Sequence, residues 1–284
     1  MVNLSEARAD QLAVGFHLLK QSLGEKAPRL YNVSRNLWRL PERISVNMAL
    51  QTLRELQSIS RETLTDQAFL ESFIPRLGLH PSGGAGTAEY EWPASLAVRS
   101  GKGLKIWQYP HQFSKYLAFI SAFEISSYLE IGVAYGGTFV LTLEYLSRLK
   151  PGLRACCVDV RAPSILFEVY SESRNFTYVT AKSEDLFDHI NPDSLFDLVF
   201  IDGDHSRQGV INDFLMVKDR ASLIAFHDIV NFKTPGTVDA WAEIKQDFGD
   251  SFSFHEFVDQ YPELIGHEHT NTLLGIGLAV KKDR

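Results

Sequence analysis

Ser127-Tyr-Leu-Glu130-Ile-Gly132-Val-Ala-Tyr-Gly136-Gly137 is the stretch on which the fold turns. The apolar run SYLEI (127–131) ends in a glycine turn, and helical spacing of apolar residues then continues over 137–149. A short, nearly continuous apolar run of this kind reads as a strand buried on both faces. Glycines at 132, 136 and 137 allow a tight turn and let a ligand approach where no Cβ stands in the way. Strand, glycine turn and helix make the first half of a βαβ crossover. In an open α/β sheet, ligands bind beside such turns, at the carboxyl ends of the strands.

The same rhythm continues outward. Apolar runs at 153–158 (LRACCV), 176–181 (FTYVTA), 196–201 (FDLVFI) and 221–226 (ASLIAF) alternate with helical patterns at 113–124, 163–174 and 206–218. After a helix at 236–248, the runs at 252–258 and 274–281 have only a loop between them, which predicts antiparallel pairing. The fold class is therefore α/β, a Rossmann-like sheet of five parallel strands with a closing antiparallel pair. Upstream, helical spacing over 5–23, 46–59 and Asp66–Phe73, then the turn-rich stretch from His80 to Gly86, predicts a helical N-terminal extension over residues 1–100. The larger domain then covers 101–284.

Composition narrows the function classes. The 284 residues are 45% hydrophobic and 22% charged, too apolar for disorder. A net charge of −7 disfavours nucleic acid and anionic membranes as partners. The two cysteines, Cys156 and Cys157, are adjacent on a strand pattern, which excludes a disulfide framework. No apolar run is long enough to span a bilayer, and Glu6, Arg8 and Asp10 interrupt any leader-like stretch, so a cytoplasmic location is expected. A local basic stretch (Lys26, Arg29, Arg35, Arg39, Arg43, with Tyr31 and Trp38) reads as a solvated face or an anchor for an anionic substrate group. The expected partners are a small-molecule acceptor and, through the N-terminal helices, a second copy of the chain.

The turn itself is E-x-G-x-x-x-G-G. A dinucleotide fingerprint would carry a second glycine at residue 134, which is alanine, so the pattern suits a ligand without a pyrophosphate. The segment resembles the first motif of class I S-adenosylmethionine-dependent methyltransferases. That resemblance implies a cofactor turn built from Glu130, Gly132, Gly136 and Gly137. It also implies that Asp159, at the end of the second strand, accepts hydrogen bonds from both ribose hydroxyls. Ser183 and Glu184 occupy the loop that faces adenine in that family. With Asp185 they also read as a helix cap with an acidic first turn.

Ile201-Asp202-Gly-Asp204-His205 follows the fourth strand and Phe226-His227-Asp228-Ile229 the fifth, so both should emerge on the rim that carries the glycine turn. Carboxylates and imidazoles together suit divalent cations. The phrase FDLVFIDGDHSRQGVINDF (196–214), with LIAFHDI (223–229) and a late GIG (275–277), resembles the cephalosporin-hydroxylase-like and macrolide-sugar O-methyltransferases. The resemblance implies magnesium on Asp202, His227 and Asp228, Asp202 also bordering the cofactor, and His205 as general base. His227 departs from the carboxylate often found there, which leaves manganese, iron or no metal open, and Asp204 is a substitute ligand.

The reading is an S-adenosylmethionine-dependent enzyme that O-methylates a small hydroxylated metabolite, a sugar or natural product. An N-methyltransferase on an amino sugar, a nicotinamide-dependent oxidoreductase and a non-catalytic binding protein on the same fold are the rival readings. His267-Glu-His269 reads as a polar loop, Trp107, Tyr109 and His111 as a roof over the site or as core, and Asn231 to Val238 as a substrate lid.

Overall fold

The structure is a computed structural model and describes residues 27–81, 92–265 and 272–282. The chain divides into two compact units, Met1–Ile44 and Ser45–Arg284. The helix expected at 5–23 and the His267-Glu-His269 loop lie outside the described residues. What is described of the first unit is the start of α1 (Ala27–Leu53). The sequence predicts a helix over 46–59 only. The structure corrects both ends: the helix starts earlier and carries Pro41 inside it, and it tightens into a 3₁₀ turn over Arg54–Ser58. Val46, Ala49, Leu50 and Leu53, at helical spacing, are buried in the core of the second unit and hold the last turns. Of the basic stretch, Arg39 and Arg43 have described side chains, both half-buried.

The second unit continues with α2 (Arg61–Leu64) and α3 (Gln67–Phe73). Asp66, expected as the first helical residue, instead caps α3, its carboxylate accepting from the Phe69 amide at 2.8 Å. Next come α4 (Ala94–Ala97), α5 (Pro110–Ile120) and β1 (Ser127–Ile131). Strands and helices then alternate: α6 (Gly137–Leu149), β2 (Arg154–Asp159), α7 (Ile165–Tyr170), β3 (Thr177–Thr180), α8 (Leu186–His189) and β4 (Phe196–Ile201). The chain closes through α9 (Arg207–Val217), β5 (Ala221–His227), α10 (Pro235–Phe248), β6 (Phe252–Phe257), α11 (Pro262–Ile265) and β7 (Ile276–Lys281). The described residues of 45–100 belong to the same unit as the sheet.

The seven strands run in the order β3-β2-β1-β4-β5-β7-β6. The first five are parallel, and β7 inserts antiparallel between β5 and β6. Every residue of β1 is buried because the sheet is covered on both faces. One apolar core includes residues of α1, α5 and α6, and the other includes residues of α9 and α10. Cys156 and Cys157 are buried on β2, and burial pushes the Cys156 thiol up to about 11, so both are inert packing residues. Strand order reverses between β1 and β4, the place where parallel strand ends open a crevice. Among the described residues, no helix is long and apolar enough to cross a membrane.

Candidate active site

A cleft of about 780 Å³ opens along the carboxyl ends of the parallel strands. Ile131, Gly132 and Ala134 come from the β1 tail, Asp159 to Arg161 from β2, and Ala181 to Glu184 from β3. Asp202 to His205 follow β4, His227 and Asp228 end β5, and Asn212, Asp213 and Met216 project from α9.

Gly132 holds a φ of +81°, and a Cβ there would overlap the Asp202 carbonyl oxygen and lie 2.5 Å from the Gly203 Cα. The close approach of the β1 and β4 tails therefore demands glycine, and Gly132 lines the cleft as expected. Gly136 and Gly137 do not, which corrects the sequence reading. Gly136, at φ +90°, closes the turn at the start of α6, and a Cβ would lie 2.6 Å from Cζ of Phe167. A Cβ on Gly137 would lie 3.0 Å from the Ile106 amide nitrogen, with the Leu104 carbonyl closer still. These two glycines make room for neighbouring chain, and the cleft beside them stays open.

Glu130 is a second correction. Strand side chains alternate, so Glu130 shares the face of Tyr128 while Ile131 borders the cleft. The Tyr128 hydroxyl donates to the Glu130 carboxylate. Burial pushes this carboxyl well above the usual range. Glu130 is a buried packing group, absent from the cleft wall.

Asp159 does line the cleft, but most of its accepting capacity is already used. Its Oδ2 accepts from the Val133 and Ala134 amides at 2.9 and 2.8 Å, and its Oδ1 from the Arg161 amide at 2.8 Å. A carboxylate offers about four lone-pair sites, so roughly one is left. That is one site where the resemblance implies two ribose hydroxyls, and the other work of Asp159 is to hold the glycine turn against β2. Ser183 and Glu184 line the cleft, whereas Asp185 lies outside it and gives no side-chain cap to α8.

The acid and histidine groups of the β4 and β5 tails converge. His227 Nδ1 lies 3.0 Å from Asp202 Oδ1 and 3.4 Å from Asp228 Oδ1. His205 Nε2 lies 3.3 Å from Asp202 Oδ1 and 3.4 Å from Asp228 Oδ2. Burial, the largest influence on Asp202, would raise its pKa, but the His227 and His205 imidazoles outweigh it and hold the carboxyl down at about 2. Burial likewise opposes charge on His227, yet Asp202 and Asp228 together lift it to about 9. The His205 pKa is also raised, first by its hydrogen bond to Asp202 and against burial. His205 is partly open to solvent, while His227 and Asp228 are almost wholly buried.

Local geometry maintains this arrangement. Asp228 sits in the left-handed region at φ +64°, a conformation that costs a non-glycine residue about 1 kcal/mol. Asn231 offsets it by donating from Nδ2 to Asp228 Oδ1 at 2.9 Å. Beneath His205, Gly236 at the start of α10 lets the helix approach the His205 carbonyl, which a Cβ would meet at 2.6 Å. Asp202, His205 and His227 each offer a ligand atom within 4.8 Å of the others, and the buried His227 Nε2 has no hydrogen-bond partner. The carboxylates of Asp202 and Asp228 with the buried His227 imidazole make a donor set that fits a divalent cation, and its nitrogen suits first-row transition ions as well as magnesium. Asp204 is turned away from this group, accepting from the Ser206 amide at 2.9 Å.

Of the three residues expected as a roof or as core, only Trp107 lines the cleft, its ring stacked on His80 with centroids 3.6 Å apart. Tyr109 and His111 belong to the interior, where both rings pack against Tyr261. Sequence reasoning placed Asn231 in a substrate lid, not beside Asp228, and gave Asp213 no role. The signal for Asp213 is a carboxylate within the buried stripe Val210, Phe214 and Val217 of α9. For Asn231 it is an amide three residues after the left-handed aspartate.

Residues 129–229 match a family model described as a methyltransferase domain. No curated protein matches the chain. Among solved structures, an O-methyltransferase from Bacillus cereus in complex with SAH is 14% identical, with a TM-score of 0.45 over 81% of this chain and 96% of that one. An O-methyltransferase of tomaymycin synthesis from Streptomyces achromogenes, in complex with SAM, is 12% identical, with a TM-score of 0.45 over 59% and 78%. A TDP-rhamnose 3′-O-methyltransferase of calicheamicin biosynthesis is 15% identical, with a TM-score of 0.44 over 61% and 79%. Such distant likeness bears on neither acceptor nor metal. The matched residues 129–229 take in the glycine turn and the tails of β2, β4 and β5 that line the cleft.

Proposed function

We propose that this methyltransferase domain moves a methyl group from S-adenosylmethionine to a hydroxyl of a small hydroxylated metabolite, a sugar or natural product, with His205 as the general base. The observation that carries the reading is that one cleft holds both the Gly132 and Asp159 turn and the Asp202, His205, His227 and Asp228 cluster. S-adenosylmethionine supplies an electrophilic methyl on a sulfonium, which an aligned oxygen attacks in line as the C–S bond breaks and S-adenosylhomocysteine leaves. Gly132 lets the β1 tail lie against the β4 tail at the wall of the cleft, and Asp159 keeps one lone pair for a ribose hydroxyl.

A hydroxyl is a poor nucleophile until its proton is removed. His205 lines the cleft, and the carboxylates of Asp202 and Asp228 at its Nε2 make the imidazole a stronger proton acceptor. Asp202, His227 and Asp228 would hold a divalent ion, whose charge would acidify an acceptor hydroxyl when bound. Asn231, by fixing Asp228, keeps that cluster aligned toward the acceptor.

The test measures SAH release from S-adenosylmethionine with a panel of polyhydroxylated acceptors, for wild type, His205→Ala and Asp202→Asn. Loss of a general base is expected to slow turnover by roughly 100-fold or more. Variants that turn over as fast as wild type overturn the assignment. Calorimetry that finds NAD bound and S-adenosylmethionine not bound selects an oxidoreductase instead.

A further inference from the structure

We infer that Asp213, on helix α9, is the residue that recognises the purine edge of the cofactor and makes the cleft selective for adenine. The inference rests on the proposed use of S-adenosylmethionine and goes beyond it by assigning the base selectivity to a helix residue rather than to the loop after β3.

The orientation of the nucleoside follows from where chemistry can occur. The proton-accepting cluster stands at the β4 and β5 tails, so the reacting methyl must lie there. The ribose is held midway, by Asp159 at the β2 tail. The base therefore extends to the far end of the cleft, toward β3, the edge strand of the sheet. That end is walled by Val160, Lys182, Ser183, Glu184, Asp213 and Met216. Val160 and Met216 offer apolar faces for a flat ring.

Adenine presents an exocyclic amine that donates, beside a ring nitrogen that accepts. A group that distinguishes this edge must be an acceptor out of reach of competing water. The Glu184 and Lys182 side chains are paired with each other and about two-thirds exposed, so water competes at both. Asp213 is only 4% exposed. Its carboxyl lies between the β3 and β4 tails: the Ser183 hydroxyl is hydrogen-bonded to it, and a Cβ on Gly203 would lie 3.4 Å from Oδ2. Gly203 and Asp213 both border the cleft at this point.

Protonation adds to the match. Burial, opposed by the Ser183 hydrogen bond and reinforced by Asp204 and Glu184, pushes the Asp213 carboxyl up to about 6. In its protonated form the carboxyl donates to the ring nitrogen while accepting from the amine. Hypoxanthine reverses both partners, with a carbonyl in place of the amine and a protonated ring nitrogen.

The experiment titrates the full chain with S-adenosylhomocysteine and with S-inosylhomocysteine by calorimetry, for wild type, Asp213→Ala and Asp213→Asn. Wild type is expected to prefer the adenine compound by roughly tenfold or more, the discrimination that an unpaired buried polar group brings. Asp213→Ala is expected to bring the two affinities within about twofold by the same argument. Asp213→Asn keeps the preference, because a carboxamide accepts from the amine and donates to the ring nitrogen. An unchanged preference in Asp213→Ala, or an equal loss for both nucleosides, overturns the inference and leaves the cofactor reading intact. Equal loss is also what a merely structural role predicts. Wild type that binds neither compound overturns the cofactor reading and this inference together.

Discussion

Gly132→Ala tests whether the β1 and β4 tails are as close as the cleft requires. Two costs are involved. At φ +81° a side chain adopts the left-handed region, at about 1–2 kcal/mol. The added Cβ would also overlap the Asp202 carbonyl oxygen and lie 2.5 Å from the Gly203 Cα. These are backbone atoms that cannot swing aside, so the two tails must part by about 1 Å, at the 1–3 kcal/mol typical of overpacking. The sum is about 2–5 kcal/mol, or roughly 5–15 °C in Tm for a domain of this size. Two other glycines separate the terms. Gly152 has φ +87° with nothing within 4 Å of a Cβ, so Gly152→Ala carries the conformational cost alone. Gly203 has no positive φ and would meet Ile131 Cγ2 at 3.3 Å, so Gly203→Ala carries a mild steric cost alone. Thermal and urea melts of the three variants should rank Gly132→Ala as the most destabilised by at least about 1 kcal/mol. S-adenosylhomocysteine binding should weaken at Gly132→Ala, since parting the tails displaces Asp202. If Gly132→Ala costs no more than Gly152→Ala, the tails are not in contact and the account of the cleft fails.

Other outcomes follow from the same structure. The Asp213 carboxyl is raised from 3.8 to about 6, so the folded state keeps a proton that the unfolded chain has lost. Its stabilisation is complete below about pH 4 and is lost as pH rises through 6, worth about 3 kcal/mol at 1.36 kcal/mol per pH unit. Melts of wild type and Asp213→Asn at pH 4 and pH 7.5 should therefore diverge in favour of the variant at the higher pH, and a constant difference rejects the shift. Glu130→Gln should leave S-adenosylhomocysteine affinity within about twofold, because Glu130 lies outside the cleft. Asp159→Asn should weaken binding and also lower Tm without ligand, by the roughly 1.5–3 kcal/mol of a charge-assisted hydrogen bond lost to the turn amides. Calorimetry and melting check both, and equal effects of the two substitutions would refute the placement. Away from the cleft, Arg174 forms a two-pronged pair with the largely buried Glu144. Arg174→Ala should destabilise by about 1–3 kcal/mol, discounted for the exposed guanidinium, with binding unchanged in the folded protein.

What the sequence determined by itself was set by local periodicity. The strands at 127–131 and 196–201 and the helix at 137–149 lie where their apolar runs predict, because a buried parallel strand must be nearly all apolar and a crossover helix must present one apolar stripe. The convergence of Asp202, His205, His227 and Asp228 was legible for the same reason: residues that follow parallel strands leave the sheet at one edge. Which way a side chain points within a turn was not legible. Gly136 and Gly137 answer to Phe167 and Leu104, each about thirty residues away in the chain. Asp159 gives most of its lone pairs to Val133, Ala134 and Arg161, and Glu130 turns toward Tyr128. Pro41 lies inside a helix whose last turns are held by burial in the second unit's core. Only the tertiary structure decided these points, because a turn residue's direction is set by backbone dihedrals and by neighbours distant in sequence, neither of which a residue pattern encodes.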